Sequence, residues 1–220
     1  MKIEVKKLKK TFSQGRDLNC VFEDVNITFK DSKIYGLVGL NGSGKSVFLK
    51  ILCGLYNPTD GKVLYDGEDI FKNKTFPKDT RALIEKPGFL PDLTGLDNLL
   101  LLSKIQNKIT KEQIIDTMKQ VNLDKQMNKK YSKYSLGMKQ KLGIAQVLME
   151  DPKVIILDEP FNGIEVKTAD KIREILKQEK EKGKIIILAS HISKDISELV
   201  DVLYEFNDGK VKKINKSEII

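Results

Sequence analysis

Cysteine is scarce. Cys20 and Cys53 are the only two, which excludes a disulfide framework or a cysteine-built metal cluster and points to a reducing, cytosolic setting. Long apolar runs are missing as well. The longest, Leu99–Leu102 and Ile185–Ala189, fall far short of the roughly 20 residues that cross a bilayer. The start, Met1-Lys2-Ile3-Glu4-Val5, is charged and alternating, unlike the apolar stretch of a signal peptide. There is no low-complexity segment, internal repeat or obvious linker, so one compact unit over 1–220 is expected. Arginine is nearly absent: of 39 basic residues only Arg16, Arg81 and Arg173 are arginine. Base reading leans on the planar arginine fork. The net charge of +8 is therefore weak support for a reader of nucleic acid. It suits a solvated surface, attraction to anionic lipid or a membrane partner, or nucleic acid. With 40% hydrophobic and 32% charged residues over 220 positions, the chain is not disordered and can bury a core.

Periodicity supplies the elements. Residues 2–8 and 21–29 alternate apolar and polar and predict strands of an antiparallel sheet. Ile34–Val38 is a short apolar strand that runs into a glycine-rich loop, and Ser46–Leu55 has a helical pattern with Gly54 near its end. Gly61–Ile70 reads as a hairpin turning at Asp66-Gly67. Helices are expected over Leu96–Gln106, Lys111–Val121 and Met138–Glu150, with Thr110 and Gln113 as a capping box for the second. No strong strand interrupts this stretch, so about 87–150 is read as a helical subdomain. Val154–Leu157 and Lys184–Ala189, joined by a helix near 167–181, predict a βαβ unit whose strands are buried on both faces of a parallel sheet. Leu203–Ile214 closes as a hairpin at Asp208-Gly209. The alternation of strands and helices gives an α/β fold.

Three segments carry chemistry. Gly39-Leu40-Asn41-Gly42-Ser43-Gly44-Lys45-Ser46 matches G-x-x-x-x-G-K-[ST] between a strand and a helix. Glycines let successive N–H groups turn toward an anion, and a helix N-terminus favours phosphate. Lys45 is expected to bridge the β- and γ-phosphates of a nucleotide and the Ser46 hydroxyl to bind Mg²⁺. Asp158 and Glu159 end an apolar strand. Alone they could be a solvated strand end. Beside a phosphate loop, Asp158 reads as part of the Mg²⁺ shell and Glu159 as the group that orients or deprotonates the attacking water. His191, the single histidine, follows the next buried strand and so reaches the same sheet edge, where an imidazole can bond the γ-phosphate and the water.

Tyr134-Ser135-Leu136-Gly137-Met138, placed between the phosphate loop and the acidic pair, resembles the signature motif of the ATP-binding subunits of ABC transporters, and the resemblance runs over nearly the whole chain. It implies a phosphate-loop ATPase with a mostly parallel core sheet, an antiparallel β subdomain and an inserted helical subdomain. It also implies ATP and Mg²⁺ as ligands and a head-to-tail dimer, in which Ser135, Leu136, Gly137 and Met138 close on ATP held by the other subunit. The run Gly39 to Ser46 with Val47 would hold the ATP, and Phe12 sits where the family stacks an aromatic on adenine. Glu85, in Leu83-Ile84-Glu85-Lys86-Pro87-Gly88-Phe89, occupies the place of a glutamine that senses Mg²⁺ and links to the membrane partner. A carboxylate there can ligate Mg²⁺ but adds negative charge near phosphate. Asn162-Gly163-Ile164-Glu165 resembles the loop that communicates across the dimer, with Glu165 for the usual aspartate. The combined motifs resemble the bacitracin-resistance and lantibiotic-immunity branch. This implies an exporter subunit on the inner face of the membrane, paired with a separate multi-span protein, in a homodimer and without specific nucleic acid. The competing expectations are a non-transport ABC ATPase acting on nucleic acid or the ribosome, and a regulatory module without turnover, against which Glu159 argues.

Overall fold

The first thirty residues form a long hairpin. In the computed structural model, which describes residues 1–15, 17–72 and 74–218, β1 (Lys2–Gln14) and β2 (Asp17–Lys30) pair antiparallel along their length. The strands are longer than the alternating pattern at 2–8 and 21–29 predicts, and register shifts between Val5 and Thr11 break the alternation midway. A bulge changes which face a side chain takes, so it erases the period-two signal. β4 (Asp60–Tyr65) joins β1, and the two-residue β5 (Glu68–Asp69) turns back on β4, giving the order β2-β1-β4-β5. Asp66 and Gly67 both take positive φ, as a tight hairpin turn requires.

The second sheet has six strands in the order β10-β9-β3-β8-β7-β6. They are β3 (Lys33–Val38), β6 (Thr80–Leu83), β7 (Val154–Asp158), β8 (Ile185–Ala189), β9 (Val202–Asn207) and β10 (Lys210–Ile214). All neighbours run parallel except β9 and β10, the hairpin turning at Asp208-Gly209. The expected βαβ unit is present as β7, α5 (Val166–Glu181) and β8.

Strand alternation divides the core into two. Ile155 and Leu157 of β7 and Ile186 and Leu188 of β8 face a cluster built with the helices. Those helices are α2 (Gly95–Ser103), α3 (Lys111–Gln120), α4 (Leu136–Leu148), α5 and α6 (Ser193–Leu199). Val154, Ile156, Ile185 and Ile187 face the opposite way, onto α1 (Lys45–Leu52) and the antiparallel sheet. All eight of these side chains are fully buried. This explains continuous apolar runs where a half-exposed strand would alternate. Among the described residues no helix is long and apolar enough to cross a membrane.

Two boundaries differ from the periodicity for local reasons. Ser135 accepts a hydrogen bond from the Met138 N–H at 3.3 Å and so caps α4, which starts at Leu136. α1 begins at Lys45 because Gly44 (φ 100°) turns the chain left-handed just before it. The Thr110–Gln113 capping box forms as expected. β6 had no period of its own: of Thr80-Arg81-Ala82-Leu83 only Leu83 is buried, and pairing with β7 alone makes it a strand.

Candidate functional site

Three neighbouring parallel strands end at one edge of the large sheet. The order β3-β8-β7 and the register Leu37↔Ala189↔Asp158 put three segments side by side: the loop after β3, Ser190-His191 after β8, and Glu159 after β7. Ligands collect at this C-terminal edge in open parallel sheets.

The Gly39–Ser46 loop is folded tightly onto the sheet. A Cβ on Gly39, which has φ 141°, would lie 2.3 Å from the carbonyl oxygen of Phe206, so only glycine fits. Lys45 is 8% exposed, and its Nζ donates to the carbonyl oxygens of Gly39 (2.8 Å) and Leu40 (3.0 Å). Burial pushes its pKa below the ordinary lysine value, against the opposing pull of Glu159 and Asp158. An ammonium held on carbonyl oxygens has no anionic partner among the described residues, and the cavity beside it admits one. That cleft of about 360 Å³ is lined by Phe12, Asn41, Gly42, Gly44, Ser46, Val47, Asp158 and Glu159 together with Lys45.

Glu159 has φ 47°, an uncommon conformation for a side-chain-bearing residue that costs about 1–2 kcal/mol. Its N–H donates to Ala189 O at 2.9 Å and its carbonyl accepts from Gln140 Nε2 at 3.2 Å. The twist aims its carboxylate at His191, whose Nδ1 lies 2.9 Å from Oε1. Oε2 is buried without a hydrogen-bond partner among the described residues. A buried acceptor left single is costly, and a water or phosphate-bound group in the cleft would satisfy it. Asp158, next to Glu159, is buried beside Ser46 in the same cleft lining. A hydroxyl, a carboxylate and a cationic loop form a donor set that fits a polyphosphate with a hard divalent cation.

Not every expected residue lies here. Phe12 is 39% exposed at the cleft mouth, edge-on to Tyr56 (centroids 5.9 Å apart), with Lys10 Nζ 4.5 Å from its ring centre. Glu85, also at positive φ (62°), lies outside the cleft lining and pairs with Lys50 of α1 at 2.6 Å. Ser135, Gly137 and Met138 line a different hollow of about 340 Å³ with Gly163, Ile164 and Glu165. Leu136 is exposed beside it. A Cβ on Gly137 would stand 2.3 Å from Gly163 O, so this contact also requires glycine. Within one chain the signature segment and the phosphate loop therefore stay apart.

Four residues escaped sequence reasoning. Asn19 and Val21 of β2 line the phosphate cleft. Lys50 neutralises Glu85, and Arg173 is buried among the apolar residues of α5. For Arg173 a signal existed: it follows Ala169 and Ile172 and precedes Leu176 at helical core spacing.

The fold and this edge define an α/β ATPase of the phosphate-loop class. Residues 22–162 match the family described as ABC transporter. The ABC transporter ATP-binding protein YybJ of Bacillus subtilis is 40% identical over 211 residues, 96% of this chain and 93% of its own. The bacitracin transport ATP-binding protein BcrA of Enterococcus faecalis is 37% identical over 99% of this chain and 70% of its own. The lantibiotic transport ATP-binding protein SrtF of Streptococcus pyogenes is 32% identical over 95% and 88%. A dimeric ATP-binding cassette, in a post-hydrolysis state bound to ADP and Pi, shares the fold with a TM-score of 0.85 over 97% of this chain and 99% of its own, at 23% identity. The chain belongs to the ABC transporter family, as an ATP-binding and ATP-hydrolysing subunit.

Proposed function

We propose that two copies of this chain clamp two Mg-ATP molecules head to tail and drive a separate multi-span membrane protein. The subunit then sits on the inner face of the membrane, and the cargo is an exported antimicrobial peptide or a drug-like compound. The observation that carries the catalytic part is the Glu159 carboxylate, with one oxygen on His191 and the other buried without a partner among the described residues, in the cleft that Lys45 also lines. The names of the bacitracin and lantibiotic relatives support the cargo class.

Each residue has a task. Lys45 leaves its carbonyl partners for the β- and γ-phosphates, the loop N–H groups bind phosphate oxygens, and Phe12 stacks on adenine. Ser46 and Asp158 would hold Mg²⁺, while Glu85 stays outside that lining with its charge balanced by Lys50. Mg²⁺, when bound, supplies charge neutralisation at the phosphate oxygens. Glu159 takes the proton of the attacking water while His191 fixes the carboxylate and reaches the γ-phosphate. Ser135 and the α4 N-terminus offer N–H groups to the other subunit's ATP. The separation of that segment from the phosphate loop within one chain supports a contact in trans. The helices of 87–150 work as a subdomain of this single ATPase unit and, with the Glu85 segment, face the membrane protein.

A role on nucleic acid has less support. The cleft lined by Lys7, Lys9, Lys210 and Lys212 also carries Glu23, Asp24 and Asp60, so it is a mixed surface rather than a basic stripe.

Glu159→Gln tests the reading. Hydrolysis should fall by about 10²–10⁴-fold, the worth of a general base, while ATP binding survives in equilibrium dialysis. Wild-type turnover in that variant removes Glu159 from the role.

A further inference from the structure

Arg173 occupies a position that an apolar residue would fill as readily. It is 4% exposed on α5, in the helix face that also carries the fully buried Ile172 and Leu176. Its Nε and Nη2 both donate to Asp195 Oδ1, at 2.9 and 2.6 Å, and its Nη1 donates to Asp170 Oδ1 at 2.6 Å. The guanidinium carbon lies 4.7 Å from the centre of the Phe161 ring. Asp195 is wholly buried, and its second oxygen accepts the Ser190 hydroxyl at 2.6 Å. The same Ser190 oxygen accepts the Ile192 N–H at 3.1 Å. The residues on both sides of His191 are thus tied to one guanidinium, and so is Phe161, two residues after Glu159.

A buried ion pair is a weak source of stability, because desolvation offsets the attraction. Its use is geometric, since a guanidinium fork fixes direction as well as distance. His191 needs that help: its side chain is 64% exposed and Glu159 is its one polar partner among the described residues. With so much of the ring open to solvent, its place follows chiefly from the backbone that bears it.

We propose that Arg173 is a positioning residue for hydrolysis. Acting through Asp195 and Ser190 on one side and Phe161 on the other, it fixes the His191 backbone relative to the Glu159 backbone so that imidazole and carboxylate meet. The proposal rests on the assignment of Glu159 and His191 above, and its test separates the two.

His191 is the only histidine, so its imidazole ¹⁵N resonances are unambiguous. In the nucleotide-free wild type at about pH 8, where a free imidazole is neutral, Nδ1 should show the signal of a protonated nitrogen held by a carboxylate. Glu159→Ala, lacking the acceptor, gives the reference for a released ring. Two variants cut the bracket differently. Ser190→Ala keeps the Arg173–Asp195 pair, whereas Arg173→Met with Asp195→Leu removes both buried charges and leaves Asp170 its partner Lys194, at 2.6 Å. Both should move the Nδ1 signal to the released position and lower kcat about tenfold, with KM for ATP within about twofold, the pattern of lost alignment rather than lost binding. A wild-type imidazole signal in either variant, with a native circular dichroism spectrum, overturns the proposal. A released signal together with wild-type hydrolysis by Glu159→Gln would uphold the bracket and refute the base.

Discussion

At the residue scale, burial sets the behaviour of Lys45. The folded protein holds this ammonium in a desolvated loop, so its pKa lies below the ordinary 10.5. Below both the folded and the unfolded values the proton is bound in either state and the desolvation cost is felt in full. Between the folded and unfolded values the unfolded chain binds more protons, so stability rises with pH. Lys45→Met should therefore melt no lower than wild type without nucleotide at neutral pH. Any advantage should shrink as the pH climbs toward the ordinary lysine value, and the rise in melting temperature on adding ATP should vanish. Differential scanning fluorimetry across pH checks all three. The cysteines make a second case. Cys20 is exposed, whereas Cys53 is buried and its thiol is pushed up to about 12. Because the thiolate is the reactive form, the native protein should titrate one thiol quickly with a chromogenic disulfide reagent and the second only after denaturation. Lys45 and Glu159 were legible from motif and strand context. The left-handed turn that swings Glu159 onto His191, and the Lys50 partner of Glu85, were not, because neither backbone twist nor pairing across 35 residues leaves a periodic trace.

At the element scale, the two helix caps of the 87–150 region make contrasting predictions. Thr110→Ala removes the Thr110–Gln113 box of α3 and should cost about 1 kcal/mol, read as a loss of about 2–4 °C in melting temperature for a chain of this size. ATP turnover should be unaffected once the protein is folded. Gly137→Ala places a Cβ against Gly163 O, so it should displace either the α4 cap or the Asn162–Glu165 loop. The expected outcome is a lowered melting temperature and, in the protein that stays folded, ATPase activity reduced at least about tenfold, because the hollow shared by the two segments is what a second subunit's nucleotide would enter. Element existence was readable where burial produced a clean pattern, periodic in α3 and continuously apolar in β7 and β8. It was unreadable in β6, whose polar residues become a strand only through β7, and in the middle of β1, where bulges shift the faces.

At the scale of the whole molecule, the separation of the phosphate loop from the Ser135 segment leads to a statement about assembly. Glu159→Gln protein with Mg-ATP should elute from size exclusion at twice the monomer mass by light scattering, and Lys45→Ala should stay at 25.0 kDa under the same conditions. Tagged Glu159→Gln protein drawn from detergent-solubilised membranes of its source cell should bring down a multi-span protein in stoichiometric amount. Recovery of ribosomal material instead would favour the nucleic-acid reading. Any weak DNA binding caused by lysine charge alone should disappear as salt is raised.

The sequence by itself determined which chemical groups are present: a phosphate-loop motif, an acidic strand end and one histidine, each at the C-terminal end of an apolar run of the kind a parallel sheet buries. Local residue types suffice for this because the loop and the strands are short and their patterns unbroken. What tertiary structure alone decided is which partners those groups have. Strand order places His191 between the other two loops. Two interleaved cores take alternate residues of the same strands. A buried arginine from a distant helix ties the chain that bears His191 to the chain that bears Glu159. Those relations join residues far apart along the chain, and they exist only once burial of both sheet faces has fixed the register.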